Sequence, residues 1–247
     1  MALEQFSRTE MLLGSENMAR LYAARIAVFG VGGVGGYCVE ALARTGVGHL
    51  DLFDNDTVAL SNLNRQIIAM QDTVGLYKVD VMRARILAIN PAAQVGAHRL
   101  FYLPENANQV DLALYDYIVD AVDTVSAKLE LVCRAQAAGV PIISAMGAAN
   151  KMDATAFTVG DIYQTENCPL ARVMRRELRK RGITALKVVY SREKARTPFA
   201  VADSADADTG YARRQIPASN AFVPPVAGFI LAGEVIKDLT AAPLPPA

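Results

Sequence analysis

Along roughly the first two-thirds of the chain, short apolar runs that stop in glycine or acid alternate with segments whose apolar positions recur at helical spacing. Residues 25–29 (Arg-Ile-Ala-Val-Phe) read as a strand running into Gly30, and 37–45 as a helix. A second strand, 49–54, follows at once and stops in acids. Two strands flanking one helix make the first crossover of a parallel sheet. The alternation continues with a helix over 77–90, closed by Asn90-Pro91, then a strand over 95–100 and another over 116–121. A helix over 127–138 and a strand over 140–144 complete it. The expected fold is α/β, a Rossmann-like doubly wound sheet.

Past Asp161 the alternation breaks down. The spacing predicts a helix over 169–181, a strand over 185–190 and a last helix over 225–238, an α+β C-terminal extension. Between them, 191–216 is polar, with Asp203, Asp206, Asp208 and Gly210, and reads as a mobile loop. The Pro/Ala-rich 241–247 reads as frayed. No repeat or linker divides the chain. The expectation is one domain over 1–247, with an N-terminal helix and arm in 1–22, a nucleotide-binding core in 23–160 and a substrate-side extension in 161–240.

Composition narrows the class. Apolar residues make up 52% of the 247 and charged residues 20%, as in compact globular chains. The start mixes Glu4, Arg8, Glu10 and Glu16 with apolar residues, without the basic-then-apolar order of a secretory signal, so a cytoplasmic location is expected. The longest apolar stretch, 221–233, contains Pro224, Pro225 and Gly228 and is shorter than the roughly 20 residues a membrane span needs. Cys38, Cys133 and Cys168 form no CxxC pair, and with only His49 and His98 available a structural zinc site is not expected. Twenty-five basic and 25 acidic residues cancel, so contact with nucleic acid requires a local patch.

Gly30-Val-Gly32-Gly33-Val-Gly35 satisfies GxGxxG between a strand and a helix, where backbone N–H groups can approach phosphate. The motif and Asp54, an acid placed to hold ribose hydroxyls, suit NAD or ATP equally. The segment from Asp54 to Gln66, followed by Lys78, favours ATP. Arg65 offers a planar fork and Lys78 a point charge, a pair that hydride transfer does not need and a departing pyrophosphate does. Asp123, just past a strand, offers a hard oxygen for Mg²⁺.

The glycine loop, Asp54, Ser61-Asn62-Leu63-Asn64-Arg65-Gln66, Lys78 and Asp120-Ala-Val-Asp123 together resemble the ubiquitin-activating-enzyme-like (ThiF/MoeB-type) adenylation superfamily. The resemblance implies Gly30, Gly32 and Gly33 around the nucleotide, Asp54 on the ribose, and Asn62, Arg65 and Lys78 on the phosphates. It further implies Gln66 in support, Asp123 on magnesium, and Arg8 reaching across a homodimer to the partner's ATP.

Members that activate sulfur-carrier proteins often carry two CxxC zinc pairs, which this chain lacks. Phe6-Ser-Arg-Thr-Glu-Met-Leu-Leu-Gly14, Ala41-Leu-Ala-Arg-Thr-Gly46, Asn64-Arg65-Gln66-Ile67 and Pro169-Leu-Ala-Arg172 resemble instead the tRNA threonylcarbamoyladenosine dehydratase family. That resemblance implies adenylation of a threonyl carboxylate on tRNA, ring closure by the carbamoyl group and release of AMP. AMP is a good leaving group where water is poor, and an intramolecular closure needs mainly positioning. A cysteine that some relatives carry before the last helix is missing from Ala218-Ser-Asn-Ala-Phe222. Two other readings stay open: an adenylyltransferase acting on a sulfur carrier, with sulfur-transfer partner proteins, and an NAD-binding Rossmann protein.

A tRNA substrate calls for a basic surface. Arg172, Arg175, Arg176 and Arg179 recur at helical spacing, with Leu170, Val173, Met174 and Leu178 expected on the opposite face. Arg192, Lys194, Arg196, Arg213 and Arg214 add charge to the same region.

Overall fold

The computed structural model describes residues 4–199 and 217–241. Seven strands form one sheet in the order β3-β2-β1-β4-β5-β7-β6: β1 (Arg25–Phe29), β2 (His49–Phe53), β3 (Gln94–His98), β4 (Tyr117–Asp120), β5 (Ile142–Ala145), β6 (Phe157–Asp161) and β7 (Lys187–Ser191). Every pairing is parallel except β6 with β7. The helices are α1 (Ser7–Leu13), α2 (Ser15–Ala23), α3 (Gly35–Thr45), α4 (Lys78–Ile89), α5 (Val125–Ala138), α6 (Pro169–Lys180) and α7 (Val223–Thr240).

The apolar runs are continuous because the sheet is covered on both faces. On β1, Ile26 and Val28 enter a core built with Leu42 of α3, Met82 of α4 and Leu231 of α7. The alternate residues Ala27 and Phe29 enter a second core with Phe53, Leu112 and Leu131 of α5. A third cluster packs Met174 and Leu178 of α6 against Val132 of α5 and Val188 of β7.

From β1 the chain winds outward through β2 and β3, then returns to β4 on the other side of β1. The strand order therefore reverses between β1 and β4, and a crevice opens beyond their carboxyl ends, where doubly wound sheets place ligands.

The structure adds to three expectations. The N-terminal helix is two helices, parted at Gly14 with φ 82°. The α+β extension joins the same sheet, with β7 between β5 and β6. Strand β6 went unread: it is a half-buried edge strand in which only Phe157 and Val159 pack on the core, and its alternation ends within four residues at Gly160 and Asp161. The proposed mobile loop falls mainly on residues 200–216, and with Arg213 and Arg214 lies outside the described residues, as does the tail from 242. The apolar stretch near the C-terminus belongs to α7, with Pro224 and Pro225 in its first turn, where no N–H is needed. Among the described residues no helix is long and apolar enough to cross a membrane.

Candidate functional site

A cleft of about 500 Å³ opens at this crevice. It is lined by Gly32, Gly33, Asp54, Asn62, Arg65, Gln66, Lys78 and Asp123, so all but two of the residues named for nucleotide and metal come together. The exceptions are Gly30 and Arg8. Gly30 lies beneath the cleft, at φ 89°, and a Cβ there would stand 2.7 Å from the Ala121 carbonyl oxygen; it lets β1 pass close to the end of β4. Arg8 is exposed on α1 and is not among the residues lining the cleft of its own chain.

The glycines divide their work. A Cβ on Gly35 would stand 1.8 Å from the Gly30 carbonyl oxygen, so that position closes the loop. On Gly32 the nearest atom would be Gln66 Nε2 at 3.9 Å, so Gly32 presents an open backbone face to a ligand. Asp54 secures the loop from the side: its Oδ2 accepts from the Val31 N–H at 2.8 Å and its Oδ1 from the Asp56 N–H at 2.9 Å. Burial pushes its pKa above the usual carboxylate value, against the pull of the Lys78 charge and these two N–H donors.

Two cations serve the same cleft in different states. Lys78, in the first turn of α4, is 7% exposed in its side chain and pairs with Asp56 at 2.7 Å. Arg65 is held by neutral oxygens alone, the Ser61 carbonyl and Asn64 Oδ1, each 2.9 Å from Nη1. Among the described residues no carboxylate pairs with Arg65. Asn62 is buried, its Oδ1 accepting from the Ala59 N–H at 3.1 Å.

An aromatic stack lies against the cleft. Phe53 stacks between Phe29 and His98, each with centroids 4.4 Å apart, and Tyr102 meets Phe29 edge-on. Phe53 and Tyr102 both line the cleft. Burial lifts the Tyr102 hydroxyl to about 12. The Tyr102 hydroxyl and Gln66 Oε1 are buried without a hydrogen-bond partner among the described residues. Orphaned polar atoms beside a cleft fit a site built for a polar ligand.

Asp123 sits exposed on the turn from β4 to α5, its Oδ1 3.4 Å from Thr124 Oγ1. The turn is anchored by residues the sequence reading missed. Lys128 and Asp120 have fully buried side chains and pair at 2.9 Å; Lys128 Nζ also donates to Ser144 Oγ at 3.2 Å and to the Ala145 carbonyl at 2.8 Å. Ser144 Oγ donates to Asp120 as well, and the second Asp120 oxygen accepts from the Val122 N–H. A lysine between Ala127 and Leu129 in an apolar helix was the available signal.

The basic helix α6 needs correction. Its buried face is Ala171, Met174 and Leu178, while Leu170 turns to the cleft and Val173 is half-buried. Arg175 turns inward, donating to the Thr165 carbonyl at 2.8 Å and to its hydroxyl. Arg179 lies over the Tyr163 ring at 5.0 Å. Arg176, Lys180 and Arg181 surround Glu177 at 3.0–3.1 Å, and hydrogen bonds from Lys180, Arg176 and Arg181 hold its carboxyl at about 2. Of the stripe's four arginines, Arg172 alone is both exposed and free of such a contact among the described residues. Cys168 is buried at the start of α6, where its Sγ accepts from the Ala171 N–H at 3.5 Å. Cys38 is buried and its thiol pushed up; Cys133 is half-buried.

Comparison with known proteins places this geometry. The chain is 43% identical to the tRNA threonylcarbamoyladenosine dehydratase of Bacillus subtilis over 96% of its own length and 95% of the relative's. The crystal structure of E. coli tRNA N6-threonylcarbamoyladenosine dehydratase, TcdA, in complex with ATP superposes with a TM-score of 0.85 at 32% identity, covering 96% of this chain and 94% of that one. The molybdopterin-synthase adenylyltransferase of Salmonella typhimurium is 35% identical over 70% of this chain and 67% of its own. The sequence profile of the ThiF family matches residues 6–246, and the chain belongs to that family.

Proposed function

We propose that the protein is an ATP-dependent tRNA threonylcarbamoyladenosine dehydratase. The observation that carries the ATP half is Arg65, a guanidinium without a carboxylate partner among the described residues, lining one cleft with Gly32, Gly33 and Lys78. A triphosphate needs that charge; a nicotinamide does not. The acceptor follows from the end-to-end similarity to the Bacillus dehydratase.

A threonyl carboxylate oxygen attacks the α-phosphorus of ATP, and pyrophosphate departs. The carbamoyl group then attacks the acyl carbon through nitrogen or oxygen, closes a ring, gives up a proton and expels AMP. The oxygen formally lost as water leaves in AMP. Gly32 and Gly33 cradle the phosphates through backbone N–H groups, Asp54 holds the ribose, and Asn62, Arg65 and Lys78 neutralise charge as pyrophosphate leaves, with Gln66 beside them. Asp123, which lines the same cleft, would hold Mg²⁺ together with the phosphates, since Mg²⁺ commonly takes one or two carboxylates plus substrate oxygens, and the ion would supply further neutralising charge there.

The chain acts as one adenylation unit in the cytoplasm, with 23–160 holding the nucleotide and 161–240 supplying the acceptor wall. It works as a homodimer in which Arg8 reaches the partner's cleft. Arg172 and Lys194, exposed in this half, meet tRNA phosphates.

Pyrophosphate and AMP release is the test, with tRNA bearing threonylcarbamoyladenosine and with the same tRNA lacking it. Release only with the modified tRNA is expected. Release only with a sulfur-carrier protein would overturn the acceptor, and binding of NAD in place of ATP would overturn the site.

A further inference from the structure

Asn64 lies within the phosphate-side segment yet has no part in the roles above. Its Nδ2 donates to the Ser219 carbonyl at 3.1 Å, and its Oδ1 accepts from Arg65 Nη1 at 2.9 Å. Arg65 and Ser219 both line the cleft. Residues 217–220 are in turn tied to the loop after β5. The Ala218 N–H donates to Asn150 Oδ1 at 2.7 Å, the Asn150 N–H to the Ala218 carbonyl at 2.8 Å, and Asn220 Nδ2 to the Lys151 carbonyl at 2.8 Å. Asn150 holds a left-handed backbone, φ 60°, to make these bonds. One carboxamide thus joins two segments that line the cleft: its acceptor end touches Arg65 and its donor end the Ser219 carbonyl.

We infer that Asn64 is a positioning residue for adenylation, fixing the Arg65 guanidinium relative to the 217–220 segment, whose Pro217 and Ser219 line the same cleft. The inference rests on the adenylation reading of the cleft. Only a side chain with a donor and an acceptor on one carbon does both jobs. Aspartate keeps the acceptor, loses the donor, and adds a charge that competes with phosphate for Arg65.

The test compares Asn64→Ala and Asn64→Asp, in the wild-type and Arg65→Ala backgrounds. Mg-ATP affinity is read by calorimetry, AMP formation by single turnover with modified tRNA, and folding by thermal melts. Asn64→Ala should weaken ATP by about three- to tenfold, the worth of one ordinary hydrogen bond. Asn64→Asp should weaken it further, with melting unchanged, and the difference between the two should vanish when Arg65 is alanine. The single-turnover rate at saturating ATP should also fall in Asn64→Ala.

Unchanged ATP affinity in Asn64→Asp, or an Ala–Asp difference that persists without Arg65, overturns the inference. A lowered melt with normal ATP affinity reduces Asn64 to a structural tie and overturns it too. ATP affinity is measured without tRNA, so a wild-type protein that binds ATP but turns nothing over refutes the acceptor assignment alone.

Discussion

Replacing Lys128 by methionine isolates the buried pair beneath the cleft. Both side chains of the Lys128–Asp120 pair are 0% exposed, and Lys128 makes three bonds, to Asp120, Ser144 and the Ala145 carbonyl. Methionine matches the lysine stem but leaves Asp120 charged, buried and bound only to Ser144 and the Val122 N–H. Removing one partner of a buried pair costs about 3–5 kcal/mol, chiefly through the charge left behind. For a chain of this size that is a melting shift of roughly 6–20 °C. The sequence contains no tryptophan, so urea unfolding is best followed by far-ultraviolet circular dichroism. The double variant Asp120→Asn/Lys128→Met removes both charges and should recover at least half of the loss. A single variant that costs under about 1 kcal/mol, or a double variant no better than the single, would refute the reasoning. The same pair anchors the turn carrying Asp123, so the double variant, though folded, should still lose adenylation rate.

Arg65→Ala and Lys78→Ala should each abolish AMP formation while circular dichroism stays native; retained turnover in both would sink the phosphate assignment. Gly32→Ala should fold normally, because its Cβ meets nothing closer than 3.9 Å, yet lose ATP affinity in calorimetry. Gly35→Ala, with 1.8 Å to the Gly30 carbonyl, should fail to yield soluble protein; a soluble Gly35→Ala that binds ATP contradicts this division of the loop. Glu177, held at about 2 against the usual 4.5, stays ionised in the folded chain where the unfolded one takes up a proton. Its contribution is therefore present above pH 4.5 and lost as pH falls towards 2, so Glu177→Gln should show a shallower fall in melting temperature between pH 5 and 3. An equal slope in both proteins would remove Glu177 from the acid response.

Much of the lining of the candidate cleft was legible in one dimension because it is built from local features. The glycine loop, Asp54, the Asn62-to-Gln66 turn and Lys78 each sit at the end of an element whose period or punctuation is visible, and a parallel sheet brings such ends to one crevice. The basic stripe on α6 was also legible as spacing. Its availability was not, because whether an arginine meets tRNA or Thr165, Tyr163 and Glu177 depends on groups the helical period does not record.

What the sequence determined by itself was the α/β alternation, the nucleotide motif and the absence of zinc pairs, all of which follow from covalent order. Tertiary structure alone decided the rest. It placed β7 inside the sheet and β6 at its edge, left Arg65 without a carboxylate partner among the described residues, buried Lys128 on Asp120, and set Asn64 against Ser219, 155 positions away. The physical reason is that hydrogen bonding and desolvation depend on distance in space, and a polar side chain's role is fixed by the partner that packing brings to it.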